Sequence, residues 1–526
     1  MVCSTGCMMH RSSTSPSAEE ALTAAAEAYE AALPGLRAQF AIDGLDRTGV
    51  PTWATWWRGP GAALGGVGYG PSAAQARVGA LGETVESAFS LLAFRRLERT
   101  TASYSELRRR HGAAGVADPR TLGLPAGSPY SEDMVLTWVP MRRALATRGT
   151  DDRDPRGAPT LELDGQAVLV PVDLVASSPS ELGERDTGER LLMPVANGMG
   201  AGTSLRQAVV HGVLEILQRD GNGLTFRALD RGAVVELGPD DGDAETRRVL
   251  GALRAAGVDV MVKIASIDRG VPDLYVVGHA PGDDLVVATA CGEAAHPDRD
   301  VALRKAVLEF ASARARKAFM HGPLAAVRGI APQDYLDDAL AVVDPAAEEA
   351  RVLDATVGWL TAGTEQQAAV WTRLDATVFS RRSTVRFGDL PTGPTADPSA
   401  IMAEHGLEVL VADLTPPGSI EGGEGGARAV KVVVPGTEVE TVAYGRIGEA
   451  GVRRLTGGGR DDLARVGRRP EGDGWREVVL TADAVERLGG PAWLDRDAVD
   501  AVAAGLLPLY REPGRHTARL VLGERP

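Results

Sequence analysis

The chain has 526 residues, of which 44% are apolar and 24% are charged, and its formal net charge is −15. These values are typical of a globular protein larger than one average domain. The acidic balance argues against a nonspecific nucleic-acid binder, because such proteins need a basic face that replaces phosphate counterions. The start has no signal-peptide pattern and no apolar run is long enough to cross a bilayer, so we expect a cytoplasmic protein without membrane contact.

The predicted elements mix helices and strands along the chain. Residues 1–17 are rich in Ser and Thr and are predicted to form a disordered tail, and 18–526 to form the folded domain, with a subdomain boundary near 375–400. Helices and strands do not alternate strictly, so we expect an α/β (α+β) fold. In chain order the predicted elements are a helix Ala18–Leu36, a strand Val50–Trp57, a helix from Ser72 to about Leu97, a charged loop 145–165, a strand Ala167–Leu174, a helix Ser204–Ala228, a strand Ala233–Leu237, a helix Ala244–Ala256, strands Val258–Ile267, Asp273–Gly278 and Leu285–Cys291, a helix Asp298–Ala318, an exposed stretch 380–400, and strands Glu408–Asp413 and Ala429–Val434.

Three segments of the chain share one layout. Each begins with a glycine at position i and has a glutamate at position i+17, and the pairs are Gly66 with Glu83, Gly198 with Glu215, and Gly292 with Glu309. A helix-capping residue recurs at i+6 and an alanine at i+10. The capping residues are Ser72, Ser204 and Asp298, and the alanines are Ala76, Ala208 and Ala302.

Each segment is predicted to be a tight turn that leads into the N-terminus of a helix. Ser72 with Gln75, and Ser204 with Gln207, match the capping box, in which two side chains satisfy free amides of the first turn. The glycines permit positive φ and a close approach of a ligand to the backbone. Helix N-termini attract anions, and one acid about three turns into each of three equivalent helices favours a site that holds Mg2+ rather than bare phosphate.

The alternative interpretation is a set of ordinary solvated helices. A single glycine-rich turn is common, and a pair such as Lys305 and Glu309 is usually an exposed ion pair of small energy. The residues that flank the acids are apolar, however, so the helices are predicted to be largely buried, and buried carboxylates without partners are costly. Three equal spacings in one chain therefore favour a shared site.

The three segments resemble the ATP-binding elements of the YcaO superfamily. The resemblance begins with DRTGVPTW at Asp46, continues through ALGETVES, ANGMGAGTSLRQAVVHGVLEILQRD and GEAAHPDRDVALRKAVLEFASAR, and ends with VADLTPPG at Val411 and VVVPGTEV. It covers most of the chain, and the second and third repeat segments carry it most specifically. It implies a YcaO-like catalytic domain over 18–526 with a nucleotide cleft lined by three motif-bearing helices, and it implies ATP and Mg2+ as cofactors.

The resemblance also implies roles for named positions. The implied metal ligands are Glu83, Glu86, Glu215 and Glu309, and the implied nucleotide contacts are Thr203, Gln207, Gln218, Arg219, Lys305 and Glu309. Arg219 stands at the family's phosphate-facing arginine, and Lys305 stands where the family usually has arginine. This chemistry requires no protein nucleophile, so the catalytic residue stays unassigned, and neither His211 nor His296 is expected to be one.

Four positions depart from the family pattern. Tyr69 replaces a lysine of the first turn, Ser87 replaces an arginine of the first helix, and Gln207 and Gln218 replace glutamates. Glutamine still offers a carbonyl ligand, but two negative charges are lost. We therefore expect weaker Mg2+ binding or one metal ion fewer.

The resemblance implies an enzyme that phosphorylates the carbonyl oxygen of a backbone amide during modification of a ribosomally made precursor peptide. Azoline formation is the first expectation, with thioamide or amidine formation as alternatives. Ring-forming members often end in a Pro-x-Pro-x-Pro tail that enters the active site, and the ending LPLYREPGRHTARLVLGERP of this chain weakens the azoline expectation. No leader-binding domain is visible, so we expect a separate leader-binding, ThiF-like or TfuA-like partner, with a homodimer as one option for assembly.

A non-catalytic YcaO-like subunit that binds peptide is the alternative of another class. The four departures from the family pattern would suit such a subunit. The four surviving acids favour the enzyme, because buried carboxylates without a use are costly.

Overall fold

The computed structural model describes residues 17–145, 161–223, 232–393, 397–417, 426–439 and 445–525. Helices and β-sheets are mixed throughout these ranges, which confirms the predicted α/β (α+β) class. The predicted tail lies outside the described residues except for Ser17, whose side chain caps the first helix. Most of the predicted charged loop 145–165 also lies outside them. The subdomain boundary near 375–400 stays a prediction.

The strands vary from short bridging segments to one strand of 11 residues. In chain order they are β1 (Leu36–Ala41), β2 (Thr52–Gly59), β3 (Ala62–Leu64), β4 (Val67–Tyr69), β5 (Thr100–Ser103), β6 (Val135–Leu145), β7 (Glu162–Pro171), β8 (Met199–Gly202), β9 (Val234–Glu236), β10 (Asp259–Ser266), β11 (Asp273–His279), β12 (Cys291–Ala295), β13 (Thr384–Arg386), β14 (Leu410–Asp413), β15 (Arg428–Val433), β16 (Ala464–Val466), β17 (Trp475–Glu477) and β18 (Ala492–Asp495).

The helices include three long ones that belong to the internal repeat. In chain order they are α1 (Ala18–Ala31), α2 (Ala73–Phe94), α3 (Tyr104–His111), α4 (Val172–Val175), α5 (Leu205–Gly221), α6 (Ala244–Ala255), α7 (Leu285–Ala288), α8 (Arg299–His321), α9 (Leu324–Arg328), α10 (Tyr335–Leu340), α11 (Ala350–Leu360), α12 (Thr364–Ala376), α13 (Pro398–Glu404), α14 (Glu449–Gly457), α15 (Ala482–Leu488), α16 (Arg496–Ala504), α17 (Leu507–Tyr510) and α18 (Thr517–Val521).

The strands pair into separate sheets, and each repeat segment contributes one strand to a different sheet. β4 pairs with β2 in the sheet of order β1-β2-β3, and β8 is the edge of the sheet of order β5-β6-β14-β15-β8, in which β7 also pairs with β6. β12 is the edge of the sheet of order β12-β11-β10-β9-β13. The C-terminal strands form a small sheet of order β16-β18-β17, with a core of its own.

Each repeat segment forms a strand, a turn and a long helix, as its spacing predicts. β4 leads into α2, β8 into α5 and β12 into α8. Each helix packs against its own strand and also against the strand of the next unit, with α2 on β8, α5 on β12 and α8 on β4, so the three units close a ring. The recurring Ala76, Ala208 and Ala302 are fully buried in these helix contacts, which explains why a small residue recurs there.

The predicted helix caps are present, but the capping box is only half formed. Ser72 accepts the N–H of Gln75 at 3.3 Å, and Ser204 accepts that of Gln207 at 3.2 Å. The reciprocal bond goes elsewhere, because the Oε1 of Gln207 accepts the N–H of Thr203 at 2.9 Å instead of that of Ser204. The predicted helix start is therefore right at both positions, and the predicted capping bond from the side chain of Gln207 to the N–H of Ser204 is wrong.

The repeat glycines mainly allow a strand to pack closely on a helix, and only to a lesser extent the approach of a ligand to the backbone. A Cβ atom at Gly68 would lie 2.0 Å from the backbone N of Ala80, and one at Gly292 would lie 2.0 Å from the carbonyl O of Ala306. Of the three glycines that begin the repeat segments, Gly198 alone has positive φ, at 83°. The positive φ that glycine permits is thus used at Gly198 and not at Gly66 or Gly292, where helix backbone leaves no room for a side chain.

Several predicted boundaries need correction. The run Leu285–Cys291 is not a strand, since Asp284 caps α7 by accepting the N–H groups of Val286 and Val287, and β12 begins only at Cys291. The strand predicted to reach Leu174 ends at Pro171 and gives way to α4. The helix predicted to reach Ala228 ends as α5 at Gly221, and residues 224–228 lie outside the described ranges.

The stretch 380–400 was expected to be exposed, and this expectation is partly wrong. β13 lies within it and pairs in parallel with β9. Phe387 and Leu390 are buried in the core around α8. Across the parts of the chain that the structure describes, no helix combines the length and the apolar character needed to cross a bilayer.

Candidate functional site

The ring of three repeat units surrounds a cleft of ≈ 1230 Å³. α2, α5 and α8 each turn one face toward it. Eight of the nine predicted site residues line the cleft, namely Glu83, Glu86, Gln207, Glu215, Gln218, Arg219, Lys305 and Glu309. The three glutamates that the repeat spacing predicted, and five residues that the family resemblance implied, therefore share one cavity although they are far apart in the chain.

Each repeat glutamate turns back toward the backbone at the start of its own repeat segment. Glu83 accepts the N–H of Val67 at 2.6 Å, and Glu309 accepts the N–H of Glu293 at 3.1 Å. The backbone at Gly198 is close enough to Glu215 to favour its charged form. The constant spacing from glycine to glutamate thus reflects one local geometry, in which the third turn of the helix returns to the beginning of its repeat segment.

The carboxylates lie close enough to raise one another's pKa. Burial raises the pKa of Glu86 well above its ordinary value, and the negative charges of Glu215 and Glu83 raise it further. Burial and the neighbouring Glu293 raise the pKa of Glu309 to about 7. Glu83 is accessible to solvent in the cleft, yet protein atoms surround it and burial raises its pKa too. The acidic side of the cleft therefore lacks sufficient positive charge of its own.

The imidazole of His211 does not supply that charge. Its Nδ1 lies 3.4 Å from Glu86 Oε1 across the cleft. The side chain is about half exposed in the cleft, yet protein atoms surround it, so desolvation lowers the pKa of His211 to about 4, and the positive charge of Lys305 adds to that effect. The ring is therefore neutral at pH 7 and leaves the charge of Glu86 uncompensated.

Two basic side chains face these acids. Arg219 lies 3.5 Å from Glu215 through Nε and 3.4 Å from Glu293 through Nη1. Lys305 lies one helical turn from Glu309, and burial lowers its pKa although Glu309 opposes that effect. Both positions suit contact with phosphate oxygens, since they place positive charge at the wall of the cleft.

The donor set fits a Mg2+ ion that arrives with a nucleotide. Within the described residues, no three His, Cys, Asp or Glu side chains form a group that could hold a metal by themselves. Mg2+ commonly takes one or two protein carboxylates and completes its shell with phosphate and water, so an open set of acids agrees with it. The Nδ2 of Asn197 also lines the cleft, buried and without a hydrogen-bond partner in the described ranges, as expected where a polar ligand binds.

Thr203 and the positions that differ from the family pattern have different relations to the cleft. Thr203 is not among the cleft-lining residues, and its hydroxyl donates to Gln207 Oε1 at 3.1 Å. The hydroxyl of Tyr69, which stands in place of the family's lysine, donates to Glu309 Oε2 at 3.3 Å. Ser87 is exposed and does not line the cleft. His296 accepts the N–H of Asp298 through Nδ1 at 3.0 Å, a turn contact of the kind expected for it.

The sequence patterns did not point to a second group of cleft residues. Arg316 and Lys317 extend the cleft wall along α8, and the C-terminal segment 509–512 lies across from them. Glu512 accepts from Arg316 at 3.1 Å and pairs with Lys317, and the Nε2 of His321 lies 3.5 Å from it. Glu293 is a further buried acid of the cleft.

Lysine usage is the signal that could have identified some of these residues. The chain has 56 Lys and Arg residues in total, and only Lys263, Lys305, Lys317 and Lys431 are lysines. Lys305 and Lys317 line the cleft, and Lys431 is buried close enough to Glu215 to influence its pKa. Two of the four lysines thus line the cleft and a third lies beside it, so the rarer of the two basic residue types points to the site.

Comparison with known proteins agrees with this geometry. A family model described as YcaO cyclodehydratase, ATP- and Mg2+-binding, matches residues 67–438. The fold is similar to that of a heterocyclase in complex with substrate and cofactor, with a TM-score of 0.54 and 17% identity over 83% of this chain and 55% of that chain. The chain thus spans about half the length of that heterocyclase.

Two further similarities involve archaeal proteins. YcaO from Methanopyrus kandleri bound with AMPPCP and Mg2+ has a TM-score of 0.49 and 20% identity, covering 79% of this chain and 89% of that chain. An uncharacterized protein of Methanothermobacter thermautotrophicus is 31% identical over 131 residues, which are 24% of this chain and 32% of that protein.

The family match and the cleft coincide in the chain. The matched range 67–438 is more than half of the 526 residues and contains all three strand-helix units of the ring. The chain therefore belongs to the YcaO family, with ATP and Mg2+ as its cofactors.

Proposed function

We propose that the protein uses ATP and Mg2+ to phosphorylate the carbonyl oxygen of a backbone amide in a ribosomally made precursor peptide. The observation that carries this proposal is the convergence of four glutamates, Arg219 and Lys305 on one cleft. Phosphoryl transfer depends on positioning and charge neutralisation rather than on a protein nucleophile. The cleft volume of ≈ 1230 Å³ exceeds the roughly 300–1,000 Å³ of common small-ligand pockets, which leaves room for a peptide beside the nucleotide.

The acidic and the basic residues of the cleft would have different roles. Bound ATP would supply the phosphoryl group that makes the amide oxygen a good leaving group. Glu83, Glu86, Glu215 and Glu309 would hold Mg2+. Arg219 and Lys305 would neutralise phosphate oxygens beside these acids, and their partial burial strengthens that interaction. Tyr69 would orient Glu309 through the hydrogen bond between its hydroxyl and Oε2.

Azoline formation is the product we propose first, and thioamide or amidine formation are the alternatives. A fold shared with a heterocyclase supports this order. Residues 509–512 line the cleft, so a bound peptide would lie against them. We further propose a cytoplasmic enzyme whose catalytic unit is residues 18–526, served by a separate leader-binding, ThiF-like or TfuA-like partner, with a homodimer as one option for assembly.

The test is calorimetric titration of the purified protein with AMPPNP in the presence of Mg2+. Glu83→Ala and Glu215→Ala each remove one acid of the repeat, and each is expected to weaken binding at least about tenfold, or about 1.4 kcal/mol. Glu365→Ala is the control, because Glu365 is an exposed helical glutamate of α12, outside the cleft. It should bind as the wild type does.

The same titration addresses the non-catalytic alternative. A folded wild-type protein that binds no Mg2+-nucleotide, alone or with its precursor peptide, would contradict the enzyme and favour a peptide-binding subunit. If the nucleotide binds, mass spectrometry of the precursor after incubation with ATP separates the products. Loss of one water per site indicates ring or amidine formation, and exchange of oxygen for sulfur indicates a thioamide.

A further inference from the structure

Glu293 is a buried acid that neither the repeat spacing nor the family resemblance singled out. It lies in the middle of β12, is 3% exposed and lines the cleft. Its Oε2 lies 3.3 Å from the Nε2 of Gln218 and 3.4 Å from Nη1 of Arg219. A side chain of the third repeat unit thus reaches the end of the helix that belongs to the second.

The position of Glu293 matches the place where a charge is missing. Gln218 stands where the family pattern has a glutamate, so the second helix offers an amide in place of a carboxylate at that point. Glu293 brings a carboxylate into direct contact with that amide. Its own N–H donates to Glu309 at 3.1 Å, so it lies between Gln218 and an acid assigned to Mg2+.

We propose that Glu293 supplies the carboxylate that Gln218 lacks and takes part in holding the Mg2+ of the bound nucleotide. This inference rests on the proposed function of the same cleft. We expected the site to have two negative charges fewer, because Gln207 and Gln218 stand in place of glutamates. With the carboxylate of Glu293 from β12, only one of these charges is lost.

A purely structural role for Glu293 explains less of the arrangement. Such a role would be to pair with Arg219, which already lies 3.5 Å from Glu215. Pairing with Arg219 therefore does not require Glu293. A carboxylate at 293 is also unfavourable in itself, because it is buried next to Glu309 and neighbouring buried acids repel each other. A shared cation offsets that repulsion, and Mg2+ is the cation that the family's cofactors supply.

The experiment compares nucleotide binding with and without metal in full-length variants. Glu293→Gln is expected to weaken binding of AMPPNP at least about tenfold in Mg2+ and to leave metal-free binding in EDTA unchanged or tighter, because one repulsive charge is gone. The double variant Glu293→Gln with Gln218→Glu returns the carboxylate to the family position and should recover binding in Mg2+ to within about threefold. Glu477→Gln, an exposed glutamate in β17, controls for the loss of a strand carboxylate.

The outcomes separate this inference from the proposed function. Equal weakening of Glu293→Gln with and without Mg2+ would assign Glu293 to positioning of Arg219 and overturn the inference. Unchanged binding in Mg2+ would overturn it as well, while wild-type binding would leave the proposed function standing. Wild-type protein that binds no Mg2+-AMPPNP would count against the proposed function itself. Thermal unfolding of each variant shows whether it is folded.

Discussion

Two groups of carboxylates face the same cleft in opposite electrostatic surroundings. Glu86 has Glu215 and Glu83 as its charged neighbours, and burial together with these negative charges raises its pKa well above the ordinary value. Burial would also raise the pKa of Glu512, but Arg316 and Lys317 overcome it, and the pKa of Glu512 lies well below the ordinary value. The first group needs an external cation, whereas the second carries its cations within the fold.

The difference shows which carboxylates serve a ligand and which serve the structure. Glu512 belongs to the C-terminal segment, and its two cationic partners belong to α8. These ion pairs hold the C-terminal segment against the helix that carries Lys305 and Glu309. Backbone N–H groups hold the acids of the repeat instead, and Arg219 and Lys305 offset only part of their charge, since the pKa values of Glu215 and Glu309 stay raised. Their direction and their incompletely compensated charge together favour a cation site.

The largest expected effect comes from removing the charge of Glu512, the carboxylate whose charge Arg316 and Lys317 compensate. Glu512→Gln keeps the shape of the side chain but leaves Arg316 and Lys317 without their counter-charge, and removal of one partner from a buried pair costs about 3–5 kcal/mol. Denaturant unfolding would measure this loss in the free energy of unfolding. Glu449→Gln is the matched control, because Glu449 pairs with Arg453 and Arg487 at the surface and should lose at most about 1 kcal/mol. Equal losses in the two variants would remove the distinction drawn for Glu512.

A second prediction concerns how the C-terminal segment responds to acid. His516 is fully buried beside Phe319, and its Nε2 lies 3.0 Å from the hydroxyl of Tyr335. Burial lowers its pKa to about 3, and the positive charges of Arg515 and His321 add to that effect. The folded state therefore binds this proton less tightly than the unfolded chain does, and the free energy of unfolding should fall as pH drops from 6.5 toward 3.

The measurement is denaturant unfolding of wild type and His516→Asn between pH 7 and pH 4.5. Asparagine tolerates the positive φ of 63° at this position and removes the titrating group. The difference between the two proteins should change by at most about 1.4 kcal/mol per pH unit below 6.5. A constant difference across this range would show that His516 does not titrate as described. His111→Asn, at an exposed histidine of α3, is the control.

The sequence predicted the acids of the ring because their arrangement is local. The glutamate of each repeat segment returns to the backbone at the start of the same segment, as Glu83 does with Val67 and Glu309 with Glu293. One local geometry repeated three times leaves a repeat in the sequence. The caps at Ser72 and Ser204 were predictable for the same reason, since the residues that form them are neighbours in the chain.

The compensated group could not be predicted, because its contacts join distant parts of the chain. Glu512 and Arg316 are 196 residues apart in sequence, and no periodic pattern links them. Glu293 was missed because its role depends on Gln218, which belongs to another unit of the ring. The run at 285–291 was wrongly predicted as a strand, since four apolar residues fit a strand as well as the single helical turn that Asp284 caps.

The smallest expected change in the free energy of unfolding concerns Glu86, whose charge the fold does not compensate, and it is a gain in place of a loss. Glu86→Gln removes a buried charge that Glu215 and Glu83 repel, while the shape of the side chain is kept. The ligand-free protein should gain about 1 kcal/mol in the free energy of unfolding, since a like-charge interaction is relieved. Binding of AMPPNP in Mg2+ should fall about tenfold in the same variant. Denaturant unfolding and calorimetry measure the two changes separately.

The control for Glu86→Gln is a buried acid that has its partners in place. Glu181 accepts from the backbone N–H and the hydroxyl of Ser177 at 2.8 and 2.6 Å. Glu181→Gln weakens these charge-assisted bonds, so it should lose about 1 kcal/mol of stability. A gain at 86 with a loss at 181 would show that the acids of the ring are held at a cost to the fold, which is the cost expected of residues kept for a metal. A loss at both positions would place Glu86 among the structural acids.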